Sequence, residues 1–140
     1  MHWGFLFTFV VMKLFLSCFF TISTLIGFCQ SVKLKNRFLK FYKGNIPAYE
    51  VNYNNQLVKI DATEIMVQLK KDSLYISVGA SNWVGIYTVA KTGKKVFEIT
   101  GKMEGTGIPE VLNLNTRNKT IVRKGLFPQP DAELKWSKLN

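Results

Sequence analysis

Beyond residue 29 the chain has no cysteine and no histidine: Cys18, Cys29 and the single His2 all belong to the first 29 of its 140 residues. Their absence from residues 30–140 excludes disulfides, thiolate nucleophiles, Cys or His metal sites and a Ser-His-Asp triad there. Arginine is also scarce after residue 29, with only Arg37, Arg117 and Arg123. That argues against nucleic acid as a partner, which needs arginine and aromatics gathered on one face. Acidic residues number 9 against 19 Lys plus Arg, a net charge of +10 at pH 7.

What is present divides the chain in two. Seven of the 11 phenylalanines (Phe5, Phe7, Phe9, Phe15, Phe19, Phe20, Phe28) precede Gln30, and Lys13 is the only charged side chain in that stretch. Read from Met12, residues 1–29 have the layout of a cleaved secretory signal. Lys13 is the basic start, residues 14–28 are the apolar run, and Gly27 and Cys29 are the small residues before Gln30. The expectation is an exported protein, periplasmic or secreted. A membrane anchor retained over residues 3–29 is the alternative, favoured by Lys33, Lys35 and Arg37 just after the apolar run. Phe28 before Cys29 argues against lipidation, which needs a small residue there. Without Lys13 the remainder carries 18 basic and 9 acidic residues, a net charge of +9. About 111 residues suffice to bury one modest core without staples.

From Tyr49 the hydrophobic pattern has period two, the mark of strands with one buried face. Tyr49, Val51 and Tyr53 alternate with polar residues, Asn54, Asn55 and Gln56 turn, and Val58, Ile60 and Ala62 return. Ile65, Val67 and Leu69 lead through Lys71, Asp72 and Ser73 to Leu74, Ile76 and Val78. A third hairpin runs from Val84 to Ala90, turns at Thr92 and Gly93, and continues with Phe97, Ile99 and Met103. Val111 to Leu114 and Thr120 to Arg123 make a fourth. The fold expected is all-β: a small antiparallel meander, closed as a barrel or folded as a sandwich, of about eight strands, with a short helix at either end. Residues 30–48 read as a basic linker or amphipathic lead-in and residues 49–140 as the β domain. In the lead-in, Leu34, Phe38, Phe41 and Tyr42 can share one side of a helix and Lys33, Arg37, Lys40 and Lys43 the other, or the segment leads into a first strand. After Pro128 and Pro130, residues 131–139 form a short capped helix or a closing strand with Leu134 and Trp136 inward. The plan is similar to the calycin architecture of lipocalins and fatty-acid-binding proteins, small meander barrels that hold apolar ligands. The Gly-x-Trp that lipocalins carry near their start is missing here, and fold does not carry function across.

No motif specifies a reaction, so catalytic, metal and cofactor sites are expected to be absent. Gly105 and Gly107 lie before Pro109 and a strand rather than before a helix, so they read as a turn, not a phosphate loop. The acids Glu50, Asp61, Glu64, Asp72, Glu98, Glu104, Glu110, Asp131 and Glu133 mostly alternate with apolar residues and point to solvent. Asp61 and Glu64 are the only close pair before a strand, and an enzyme built on carboxylates is the alternative function. Trp83, between Gly79 and Gly85, is expected in a connection between strands, where it either offers an aromatic platform or caps the core. The lysines look scattered, with the run from Lys33 to Lys43 as the exception that could lie on an anionic surface. Asn118, Lys119 and Thr120 fit an N-glycan acceptor in a turn. The functional expectation is a non-catalytic domain that binds an anionic or apolar envelope component: a lipid, an acidic glycan or a protein partner.

Overall fold

A run in which Ile65, Val67 and Leu69 alternate with Glu64, Met66 and Gln68 buries one face only if it is extended. An extended strand must then find hydrogen-bond partners along both edges. The computed structural model, which describes residues 32–138, meets both demands by closing a sheet on itself. One 3-10 turn, η1 (Asn36–Phe38), is followed by β1 (Phe41–Ile46), β2 (Tyr49–Tyr53), β3 (Gln56–Ile60), β4 (Thr63–Leu69) and β5 (Leu74–Val78). Then come β6 (Ser81–Lys91), β7 (Val96–Met103), β8 (Glu110–Asn115), β9 (Thr120–Arg123) and β10 (Ala132–Ser137). Eight strands close a barrel in the order β1-β10-β9-β8-β7-β6-β5-β4, while β2 and β3 pair only with each other. All pairings are antiparallel, and closure of β1 on β10 leaves the barrel without an edge. Of the two plans read from the alternation, the fold is thus the barrel.

The interior is a packed core. Ile65, Val67, Leu74, Ile99, Leu112, Leu114, Ile121, Ala132 and Leu134 are completely buried, as expected of an eight-stranded barrel whose lumen side chains can just fill. At Gly101 an added Cβ would collide with Leu74 Cδ2. The upper rim is closed by Arg123, whose Cα is in register with the interior residues Leu112 and Ala132. Its guanidinium binds both oxygens of Glu110 at 2.8 Å and the side-chain oxygen of Gln129 at 2.5 Å.

The lower mouth is covered by the N-terminal segment, and here the helix reading of residues 33–43 fails. The segment makes one 3-10 turn without a side-chain cap and becomes strand at Phe41, the alternative in which it leads into β1. Phe38 is buried, Leu34 and Leu39 pack against the core, and the Tyr42 hydroxyl donates to the Phe38 carbonyl at 3.0 Å. Contacts with the barrel mouth outweigh a helix that neither capping nor length supports. Strand alternation also separates Phe41 from Tyr42: the tyrosine is inside, its neighbour half-buried outside. At the other terminus the closing strand forms, with Ala132 and Leu134 buried. Trp136, opposite Tyr42 in register, sits half-exposed at the lower rim.

Two expectations change. The first hairpin forms, with Asn54 and Asn55 at φ 50° and 61° as a two-residue hairpin turn of positive-φ residues requires. Its apolar face, however, meets the barrel core only through Tyr49, which packs against it, while Tyr53 and Val58 of the same face are exposed. Alternation reports a strand with an apolar face but not what that face meets. Trp83 is not in a connection either; it lies within β6, paired with the interior Ile76, and is partly exposed near the upper rim. Gly105 and Gly107 do occupy the turn between β7 and β8, Gly105 at φ 75°. The expectations for residues 1–29 lie outside the described residues. Among those described, no helix is long and apolar enough to cross a membrane.

Candidate anion-binding site

In an up-and-down barrel every second connection emerges at the same end. The lower end therefore gathers residues 32–40, the β4–β5, β6–β7 and β8–β9 turns, and the end of β10. Lys33, Lys35, Arg37 and Lys40 come from the first of these, and Lys70 and Lys71 from the second. The β6–β7 turn adds Lys94 and Lys95 beside Lys91 at the end of β6, the β8–β9 turn adds Arg117 and Lys119, and Lys138 lies just past β10. Twelve of the 18 described cations thus share one end, and Asp72 is the single acid in these segments. The lysines that look scattered along the chain are collected by the meander.

The upper end has the opposite character. Its connections carry Glu50, Asp61, Glu104 and Asp131, and its rim Glu110. Both ion pairs among the described residues are here, Arg123–Glu110 and Lys124–Asp131. The Lys124 ammonium and the Gly125 N–H both donate to Asp131, which holds its carboxyl below the usual range. Exposed apolar side chains also concentrate here: Tyr53 and Leu57 of the hairpin, Ile108 of the β7–β8 turn, and Leu126 and Phe127 of the β9–β10 loop.

No cation of the lower end takes part in either ion pair. Three of them rest on aromatic rings instead: Lys70 Nζ 4.3 Å from the Tyr75 centroid, Arg37 4.8 Å from Phe38 and Lys119 5.2 Å from Trp136. A cation on a ring keeps its charge available to an approaching anion. Three grooves flank the N-terminal segment at this end. The smallest, of about 290 Å³, includes Lys33, Lys71 and the acid Asp72 in its lining, and the two larger ones hold no acid. One, of about 440 Å³, is lined by Lys33, Lys35, Arg37, Lys91, Lys94, Lys95 and Arg117, with no acid among its lining residues. The other, of about 460 Å³, is lined by Arg37, Phe38, Lys40, Tyr42, Thr116, Lys119 and Trp136. Tyr42 belongs to the second, and burial pushes the pKa of its hydroxyl up to about 12.

The segment from Lys33 to Lys43 and Trp83 prove to be at opposite ends of the barrel, so they do not form one site. Asp61 and Glu64 lie at the upper end, where the Thr63 hydroxyl donates to the Asp61 carbonyl. Among the described residues no group of three His, Cys, Asp or Glu side chains could hold a metal ion. Asn118 is in the exposed β8–β9 turn, within the basic end. Sequence reasoning missed Lys94, Lys95, Arg117, Lys119 and Trp136 as neighbours of the Lys33–Lys43 run. A signal for them existed: the turns at 70–73, 92–95 and 116–119 are basic, whereas those at 54–55, 79–80 and 104–109 hold no lysine or arginine. Comparison with protein-family models, with curated proteins and with solved structures finds no match for the chain.

Proposed function

We propose that this chain is a non-catalytic, exported β domain that binds an anionic component of the cell envelope through the lower end of its barrel. One observation carries the reading: twelve cations against one acid at a single end, none of them ion-paired among the described residues, on a barrel whose acids collect at the other end. Holding like charges within a Debye length, about 10 Å at 0.1 M salt, costs stability. Lysines that served solubility alone would be better dispersed. Against an anionic surface each such cation contributes roughly 1 kcal/mol, so even half of them suffice for firm but salt-sensitive binding. The leader-like composition of residues 1–29 supports export, and the binding reading holds whether they are removed or retained as an anchor.

Two charge-reversal triples separate placement from net charge. Lys94→Glu, Lys95→Glu and Arg117→Glu alter the basic end, while Lys43→Glu, Lys59→Glu and Lys135→Glu change the net charge equally elsewhere. Binding to anionic phospholipid vesicles and to an acidic polysaccharide is measured for both by co-sedimentation. The first triple is expected to weaken binding about a hundredfold, from roughly 1 kcal/mol for each cation lost, and the second by only a few-fold. Equal losses would reduce the effect to overall charge and overturn the proposal.

A further inference from the structure

The two larger grooves of the basic end differ, and the difference specifies a ligand. The groove beside β10 joins three cations, Arg37, Lys40 and Lys119, to an aromatic wall made by Trp136, Tyr42 and Phe38. Trp136 extends the inward-facing row of β10, where Ala132 and Leu134 are completely buried, yet it keeps 38% of its surface exposed. Its position is fixed by the backbone: its N–H donates to the Lys119 carbonyl at 3.1 Å and its Cα is in register with Tyr42. The same Lys119 sends its ammonium over the indole. An indole at the rim of a recess, with Lys119 over part of its ring and Arg37 and Lys40 lining the same groove, is suited to a flat ligand with an apolar face and an ionised edge.

Resting on the anion-binding reading, we infer that this groove is the subsite for an acidic sugar unit, its ring stacked on Trp136 and its carboxylate, sulfate or phosphate held by Arg37, Lys40 and Lys119. A bilayer would press on the outermost turn tips and would have no use for a recessed indole. Single-stranded nucleic acid stacks successive bases on successive aromatic platforms, whereas Tyr42 and Phe38 are buried and Trp136 alone in this groove presents an exposed ring. A volume of about 460 Å³ is within the range of small-ligand sites. The Thr116 hydroxyl, which also lines the groove and donates to the Lys95 carbonyl at 3.1 Å, keeps acceptor capacity for a sugar hydroxyl.

The test titrates the protein, purified as cells process it, with an oligogalacturonate, its neutral reduced counterpart, oligothymidylate and anionic phospholipid vesicles. Tryptophan emission and affinity are read for the wild type, Trp83→Phe, Trp136→Leu and Lys40→Gln. The acidic oligosaccharide is expected to shift the emission of wild type and Trp83→Phe, and to bind Trp136→Leu about tenfold more weakly with the shift lost. Lys40→Gln, which leaves Trp83 and Trp136 in place, should show the full shift at several-fold higher ligand concentration. The neutral oligosaccharide should give no shift. An acidic oligosaccharide that binds Trp136→Leu as tightly as the wild type overturns the subsite while leaving the basic end intact, as does tighter binding of oligothymidylate. Failure of every anionic probe to bind overturns the broader anion-binding reading as well.

Discussion

The upper rim allows a sharp energetic test, because Arg123 is a nearly buried cation in an otherwise apolar row. Its side chain is 7% exposed and that of Glu110 16%, and the guanidinium makes three hydrogen bonds, two to Glu110 and one to Gln129. Arg123→Met keeps the stem that packs over Leu112 and Ala132 but strands the Glu110 carboxylate. Breaking a buried pair from one side costs about 3–5 kcal/mol, and the residual exposure of Glu110 places the expected loss near the lower bound, about 3 kcal/mol. For a domain of this size that lowers the melting temperature by roughly 10–20 °C. The double variant Arg123→Met/Glu110→Leu removes both charges and is expected within about 1 kcal/mol of the wild type, since apolar replacements of buried pairs are often neutral. The coupling between the sites is then about 2 kcal/mol or more. Urea and thermal unfolding followed by circular dichroism measure all four members of the cycle. A single variant that loses less than about 1 kcal/mol, or a double variant whose loss is the sum of the singles, would refute the argument that charge burial governs this rim.

Packing inside the barrel and a buried hydroxyl each give a further expected outcome. Gly101→Ala places a methyl group against Leu74 inside the barrel and should cost about 1–3 kcal/mol, whereas Gly107→Ala, where an added Cβ meets nothing within 4 Å, should change the urea midpoint little. The raised pKa of Tyr42 means that its contribution is complete below pH 10, the unfolded value, and is lost as pH climbs through about 12. The stability advantage of wild type over Tyr42→Phe should therefore shrink by about 2 kcal/mol between pH 9 and pH 11.5; a constant difference across that window would show that the hydroxyl is not shielded.

Local composition and periodicity determined the class of the fold, because alternation over Ile65–Leu69, Leu74–Val78 and Ile99–Met103 admits only strands with one dry face. The turn at Asn54 and Asn55 was legible for the same local reason: both residues tolerate positive φ. What a face packs against is not a local property. The first hairpin carries the same alternation as the others, yet its strands pair only with each other and leave most of that face exposed, and Trp83 became part of β6 because pairing with β5 extends past the glycine that marks a turn in the sequence. The residues from Leu34 to Tyr42 were correctly sorted in large part into apolar and basic sets, but a barrel mouth, rather than a helix, separates them. The candidate site depended on tertiary structure most of all. Its cations come from segments up to about a hundred residues apart, and only the alternation of chain direction in a closed meander brings every second turn to one end, where like charges that look dispersed along the sequence become a single surface.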